Sequence, residues 1–237
     1  MSLSSNEKMK NPATKFIEWK GSSGIWQYYD KLGGQNVIIG ETIYIVPLDD
    51  LSTIKGWNDE SGSGIYSNEI KFLNEEILTV KSFKGGEIVK GLYRDIKGNL
   101  DGGKFCKSIY AALISDKGKV EGLVNVSFVG SSLGSWIEAK VRISDANVLT
   151  LTKDPVAKKK GATSYFVPTI TSSKPNDESI IDKAKELDVE LQEFLTEYRN
   201  KPMSESHINK TDSDGVPSFI PPTREVVEED DKLGLPF

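Results

Sequence analysis

The run Lys104–Phe128, KFCKSIYAALISDKGKVEGLVNVSF, decides the fold class of this 237-residue chain. Its two halves, Lys104 to Ser115 and Val120 to Phe128, are rich in Val, Ile, Leu, Tyr and Phe, and they are parted by a polar break containing Asp116 and Gly118. Short β-prone runs between Gly, Asn and Asp breaks are the texture of strands joined by turns. Working outward, the same texture predicts strands at Lys15 to Lys20, Ile25 to Lys31, Asn36 to Pro47, Ile65 to Phe72, Glu76 to Phe83, Glu87 to Asp95, Ala146 to Lys153 and Thr163 to Thr171. Only Ser131 to Ile143, with Leu133, Trp136, Ile137 and Val141 at helical spacing, interrupts the β pattern. A mainly β body over 14–175, an antiparallel barrel or sandwich, follows.

The flanks differ. Residues 1–13 read as a disordered lead. From Asn176, an N-cap followed by two acids in the first turn, a helix is predicted through Arg199. Its apolar stripe of Ile180, Ala184, Leu187, Leu191, Phe194 or Leu195, and Tyr198 covers a mouth of the barrel or pairs with a second chain in a homo-oligomer. Residues 201–237 are rich in Ser, Asn, Asp and Pro and read as a disordered acidic tail.

Charge divides along the same line. Residues 1–175 hold 23 Lys and Arg against 19 Asp and Glu, whereas 176–237 hold 7 against 16. A mildly basic body suits a polyanion, and an acidic end suits a basic partner. Cys106 and His207 are single, which removes disulfide frameworks, most transition-metal sites and His-dependent catalysis. Cys106 is expected to be a small buried hydrophobe. No run approaches the ~18 apolar residues of a membrane span, so a cytoplasmic protein with no membrane partner is expected, in the host cytoplasm if the chain is viral.

In the body, aromatic and basic residues interleave. Trp26, Tyr28, Lys55, Trp57, Lys81, Lys84, Arg94, Lys104 and Lys107 are the candidates for holding single-stranded nucleic acid, by base stacking and phosphate neutralisation. Trp57 is expected in a polar loop beside Lys55, and Lys158, Lys159 and Lys160 in a mobile basic loop that clamps phosphates. Gly98 to Lys104 has the glycine and lysine spacing of a nucleotide-binding loop, but Phe105 stands where Ser or Thr must hold magnesium. A glycine-rich hairpin loop is preferred. Asp49 with Asp50, and Glu75 with Glu76, are adjacent acids that point to opposite faces of a strand, so neither pair makes a metal site for an enzyme acting on nucleic acid. No enzymatic activity and no cofactor are expected.

The chain closes with Glu228, Glu229, Asp230, Asp231, Lys232, Leu233, Gly234, Leu235, Pro236 and Phe237. An aromatic ring and an α-carboxylate on one residue, stiffened by Pro236, form a ligand for a pocket with an apolar floor and a basic rim. Asp230, Asp231, Leu235, Pro236 and Phe237 resemble the acidic tip of bacterial and bacteriophage single-stranded DNA-binding proteins; Lys232, Leu233 and Gly234 depart from it. The resemblance implies an OB-fold-like antiparallel β-barrel that binds and protects single-stranded DNA during replication, recombination or repair, and a tip that recruits replication and recombination enzymes. The rival expectation is a phage structural or scaffolding protein with a β-sandwich body.

Overall fold

The computed structural model describes residues 10–140, 147–152 and 154–200. In chain order the elements are β1 (Lys15–Lys20), β2 (Ile25–Asp30), β3 (Gln35–Gly40), β4 (Ile43–Asn58), β5 (Ser63–Ser67), β6 (Leu78–Ser82), β7 (Gly86–Gly91), α1 (Tyr93–Ile96), β8 (Gly103–Ile114), β9 (Val120–Val129), α2 (Ser131–Lys140), β10 (Val148–Leu151), β11 (Val156–Lys160), β12 (Thr163–Val167), β13 (Ile170–Ser173) and α3 (Ser179–Asn200). The protein is mainly β with a C-terminal helix, as the sequence predicts.

One sheet holds eleven strands, in the order β3-β2-β1-β9-β8-β4-β5-β6-β7, with β10 bound to β4 and β13 to β10. All of its strand pairs are antiparallel except β1 with β9. Strand β4, 16 residues long, is the hub. One edge pairs with β8 along Tyr44–Gly56, while the other pairs first with β10 at Ile43–Ile45 and then with β5 at Lys55–Asn58. β11 and β12 form a separate ribbon, tied to the β1–β2 turn where Phe166 N–H donates to Gly21 O at 2.8 Å.

Alternation along β8 and β9 gives the sheet two apolar sides. Ile109, Ala111, Leu113, Val124, Val126 and Phe128 pack with Trp136 of α2; this is the α2 face. Tyr110 and Leu123 meet Leu191, Phe194 and Leu195 of α3, and Ala112 and Ile114 meet Ile180 and Ala184; this is the α3 face. The predicted helical stripe therefore packs on the protein's own sheet. Its buried residues lie over the Val46–Leu51 and Tyr110–Ile114 part of that face and leave the opposite end of the strands to other side chains.

Several boundaries are corrected. The single strand expected over Asn36 to Pro47 is two, parted at Glu41–Thr42, and β4 runs on through Trp57 to Asn58. Tyr93–Asp95, expected as strand, is helical, and the strand expected over Thr163 to Thr171 breaks at Pro168, which has no N–H to donate to a ladder. The helix expected from an Asn176 cap starts at Ser179, whose N–H bonds the Asp177 carboxylate at 2.9 Å and holds that carboxyl below its usual range. Within the expected disordered lead, Ala13 is buried beneath α3 and Asn11 Nδ2 donates to Tyr110 Oη at 3.0 Å. Residues 141–146, part of the expected helix and strand there, and 201–237 lie outside the described residues.

Candidate nucleic-acid interface

The site is built by register. Lys104 of β8 stands opposite Lys55 of β4, Lys55 opposite Tyr66 of β5, and Tyr66 opposite Lys81 of β6. Their neighbours Phe105, Ile54, Ile65 and Val80 are buried together on the α2 side, so all four project to the α3 face, at the end that α3 leaves. Trp57 lies two residues beyond Lys55 and shares its face. The ring of Phe83 stacks on Tyr66 at 4.6 Å between centroids and 24° between planes. Three lysines and three aromatic rings thus occupy one patch of pleated surface.

Two glycines allow the patch to form. A Cβ on Gly56 would collide with Gly102 O, and one on Gly102, where φ is +95°, would collide with Trp57 O. This glycine-rich segment is what the sequence presents as a nucleotide-binding loop; in the fold it lets β4 and the turn before β8 approach closely, beside Trp57 and Lys104.

The row continues across the sheet through polar groups. Lys55 Nζ donates to Ser127 Oγ at 2.5 Å. Ser127 of β9 stands opposite Glu18 of β1, and Glu18 opposite Gln27 of β2, whose Nε2 donates to Glu18 Oε1 at 2.9 Å. Burial pushes the Glu18 carboxyl up, opposed by the Gln27 hydrogen bond and by the charges of Lys55 and Lys20. Between this row and α3 lies a buried hydrogen-bonded group: Ser108 and Tyr110 hydroxyls donate to Glu69, Tyr110 at 2.9 Å, and Glu69 N–H donates to Tyr198 Oη at 3.1 Å. Burial, and then the Glu69 charge, raise both tyrosine hydroxyls. Cys106 is fully buried with its thiol pushed up by desolvation.

Of the residues singled out from sequence, Lys55, Trp57, Lys81 and Lys104 come together. Trp57 does so from a strand, not from the expected loop. Lys84 lies in the β6–β7 turn beside Phe83, its N–H bonded to Ser63 Oγ at 3.1 Å. Trp26 is corrected: it is wholly buried between Trp19 and Phe128, with centroids at 5.1 and 5.8 Å, so its ring has no face for a base. Tyr28 packs on the α2-side core with Lys15 above its ring at 5.5 Å. Lys107, expected to join Lys104, projects to the opposite face of β8, 3.0 Å from Asp50 and about as far from Ser52 Oγ. Arg94 sits on α1, 3.7 Å from Asp95.

The basic loop is also corrected. Lys158, Lys159 and Lys160 are strand residues of β11, paired with Tyr165, Ser164 and Thr163, and the turn is at Gly161, where φ is +59°. Asp230, Asp231, Leu235, Pro236 and Phe237 lie outside the described residues. Tyr66 and Glu18 do not stand out in the sequence, because their place on this face is set by β1 and β5 registers that only the sheet order supplies. Among the described residues, no group of three or more His, Cys, Asp or Glu is placed to hold a metal ion, and no helix is long and apolar enough to cross a membrane.

No protein-family model matches the chain, and neither a curated protein nor a solved structure does.

Proposed function

We propose that this protein binds single-stranded DNA without a general sequence requirement, on the uncovered end of the α3 face, and protects it during replication, recombination or repair. The observation that carries this reading is the cross-strand row Lys104–Lys55–Tyr66–Lys81 with Trp57 on the same face and Phe83 stacked on Tyr66. Aromatic rings accept any base by stacking, and ammonium groups at strand spacing neutralise the backbone. The exposed Lys158 and Lys159 of β11 are proposed as a further backbone contact.

An OB-type barrel belongs to the same proposal. Its support is the long β4, which changes partner from β10 to β5 along one edge and carries a register shift at Pro47/Asp49, where a bulge sharpens strand curvature. The acidic tip is proposed to recruit replication or recombination enzymes, on the strength of its resemblance to the tips of single-stranded DNA-binding proteins.

Titration of intrinsic Trp fluorescence with oligo-dT, with duplex as control, tests the binding. Trp19, Trp26 and Trp136 are all buried in the α2-side core, so quenching by the single strand has to come mainly from Trp57 and should vanish in Trp57→Phe. No change with either DNA at low salt would overturn the proposal.

A further inference from the structure

Glu18 is out of place on a lysine-rich face. It has Gln27 on one side and Ser127, bonded to the Lys55 ammonium, on the other. Gln27 fixes one carboxylate oxygen at 2.9 Å, while Oε2 accepts no hydrogen bond from the described residues. A carboxylate here repels phosphate and is itself partly desolvated. Both costs are offset where the carboxylate accepts hydrogen bonds from a base edge instead of facing the backbone. Its strand lies three ladder spacings from β4, roughly 14 Å, so a base at Glu18 and a base stacked on Trp57 belong to different nucleotides of one strand.

Resting on the proposed single-strand binding, we propose that Glu18, oriented by Gln27, reads one unstacked guanine by accepting its N1–H and N2–H. Two carboxylate oxygens form a fork that matches two adjacent N–H donors. On the Watson–Crick edge guanine presents such a pair; cytosine and adenine present an amino group alone, and thymine N3–H alone. The interface is therefore tolerant at the stacking positions and selective at one.

The test compares wild type with Glu18→Gln and Glu18→Asp, using a short oligo-dT, the same oligonucleotide with one central guanine, and the same with one central inosine, which lacks the N2 amino group. Wild type should bind the guanine form roughly tenfold more tightly than oligo-dT, with the inosine form, which like thymine offers one imino N–H, close to oligo-dT. Both variants should lose the distinction, Glu18→Gln because an amide offers one acceptor, Glu18→Asp because the fork falls short. Wild type binding all three equally, or Glu18→Gln retaining the preference, overturns the guanine site and leaves the function standing. Failure of wild type to bind any of the three removes both.

Discussion

Trp57 and Trp26 show how one residue type is divided between surface and core by strand register. Trp57→Ala is expected to weaken oligo-dT binding by ~1–3 kcal/mol, the worth of one stacked base, with thermal stability little changed; binding isotherms and a melting curve check both. Trp26→Ala should cost about 3–5 kcal/mol of stability, measured by denaturant unfolding, because it empties the centre of the Trp19–Trp26–Phe128 packing. Lys104 and Lys107 divide in the same way. Lys104→Gln should reduce the salt slope of binding by about 0.7, and Lys107→Gln should leave it unchanged. Glu18 supplies a pH dependence with a definite sign. Its carboxyl is raised in the folded state, so the ionised form penalises folding; the penalty is absent below the usual carboxylate range and grows as pH rises through the raised value. Glu18→Gln should therefore raise the melting temperature at neutral pH, and the gain should disappear in acid. An equal gain at both pH values would show that the charge is not its cause.

At the scale of elements, β4 decides where the site is, and the sequence hides it. Pro47, Asp49-Asp50 and the Lys55-Gly56-Trp57-Asn58 segment look like loop. The fold meets each exception: the register shift falls at Pro47/Asp49, Asp49 pairs with Lys71 at 3.1 Å, and Asp50 pairs with Lys107 and Lys140. Those partners are remote in sequence, so no local pattern reveals that the acids are neutralised. By contrast β8 and β9 were legible as nearly continuous apolar β-prone runs, because both of their faces are covered, and α2 and α3 as helical apolar stripes that answer to one buried side. The aromatic and basic residue types of the site were legible too, but their faces were not. Gly56→Ala should cost about 1–3 kcal/mol, since its Cβ would meet Gly102 backbone that cannot swing aside as a side chain does. The same variant should lower oligo-dT affinity by displacing Trp57 and Lys104.

For the whole molecule, basic side chains gather at one end of the α3 face, while residues 176–237 hold 7 Lys and Arg against 16 Asp and Glu. If Lys55, Lys81 and Lys104 each neutralise one phosphate, log K against log salt should fall with a slope near ~−2; a flat dependence would mean that stacking alone holds the strand. The parallel pairing of β1 with β9 has another consequence, in the order in which the chain is made. Thr14 bonds Leu123, 109 positions later, so β1 to β3 leave the ribosome long before their neighbour exists. At ~5–20 residues per second the wait is about 5–20 s. Throughout it Ile17, Trp19 and Trp26 have no β9 to cover them, and one edge of β1 is bare. The nascent chain is then a strand-edge trap, and its yield in a cell depends on whatever shields that ribbon until residue 129 has been synthesised.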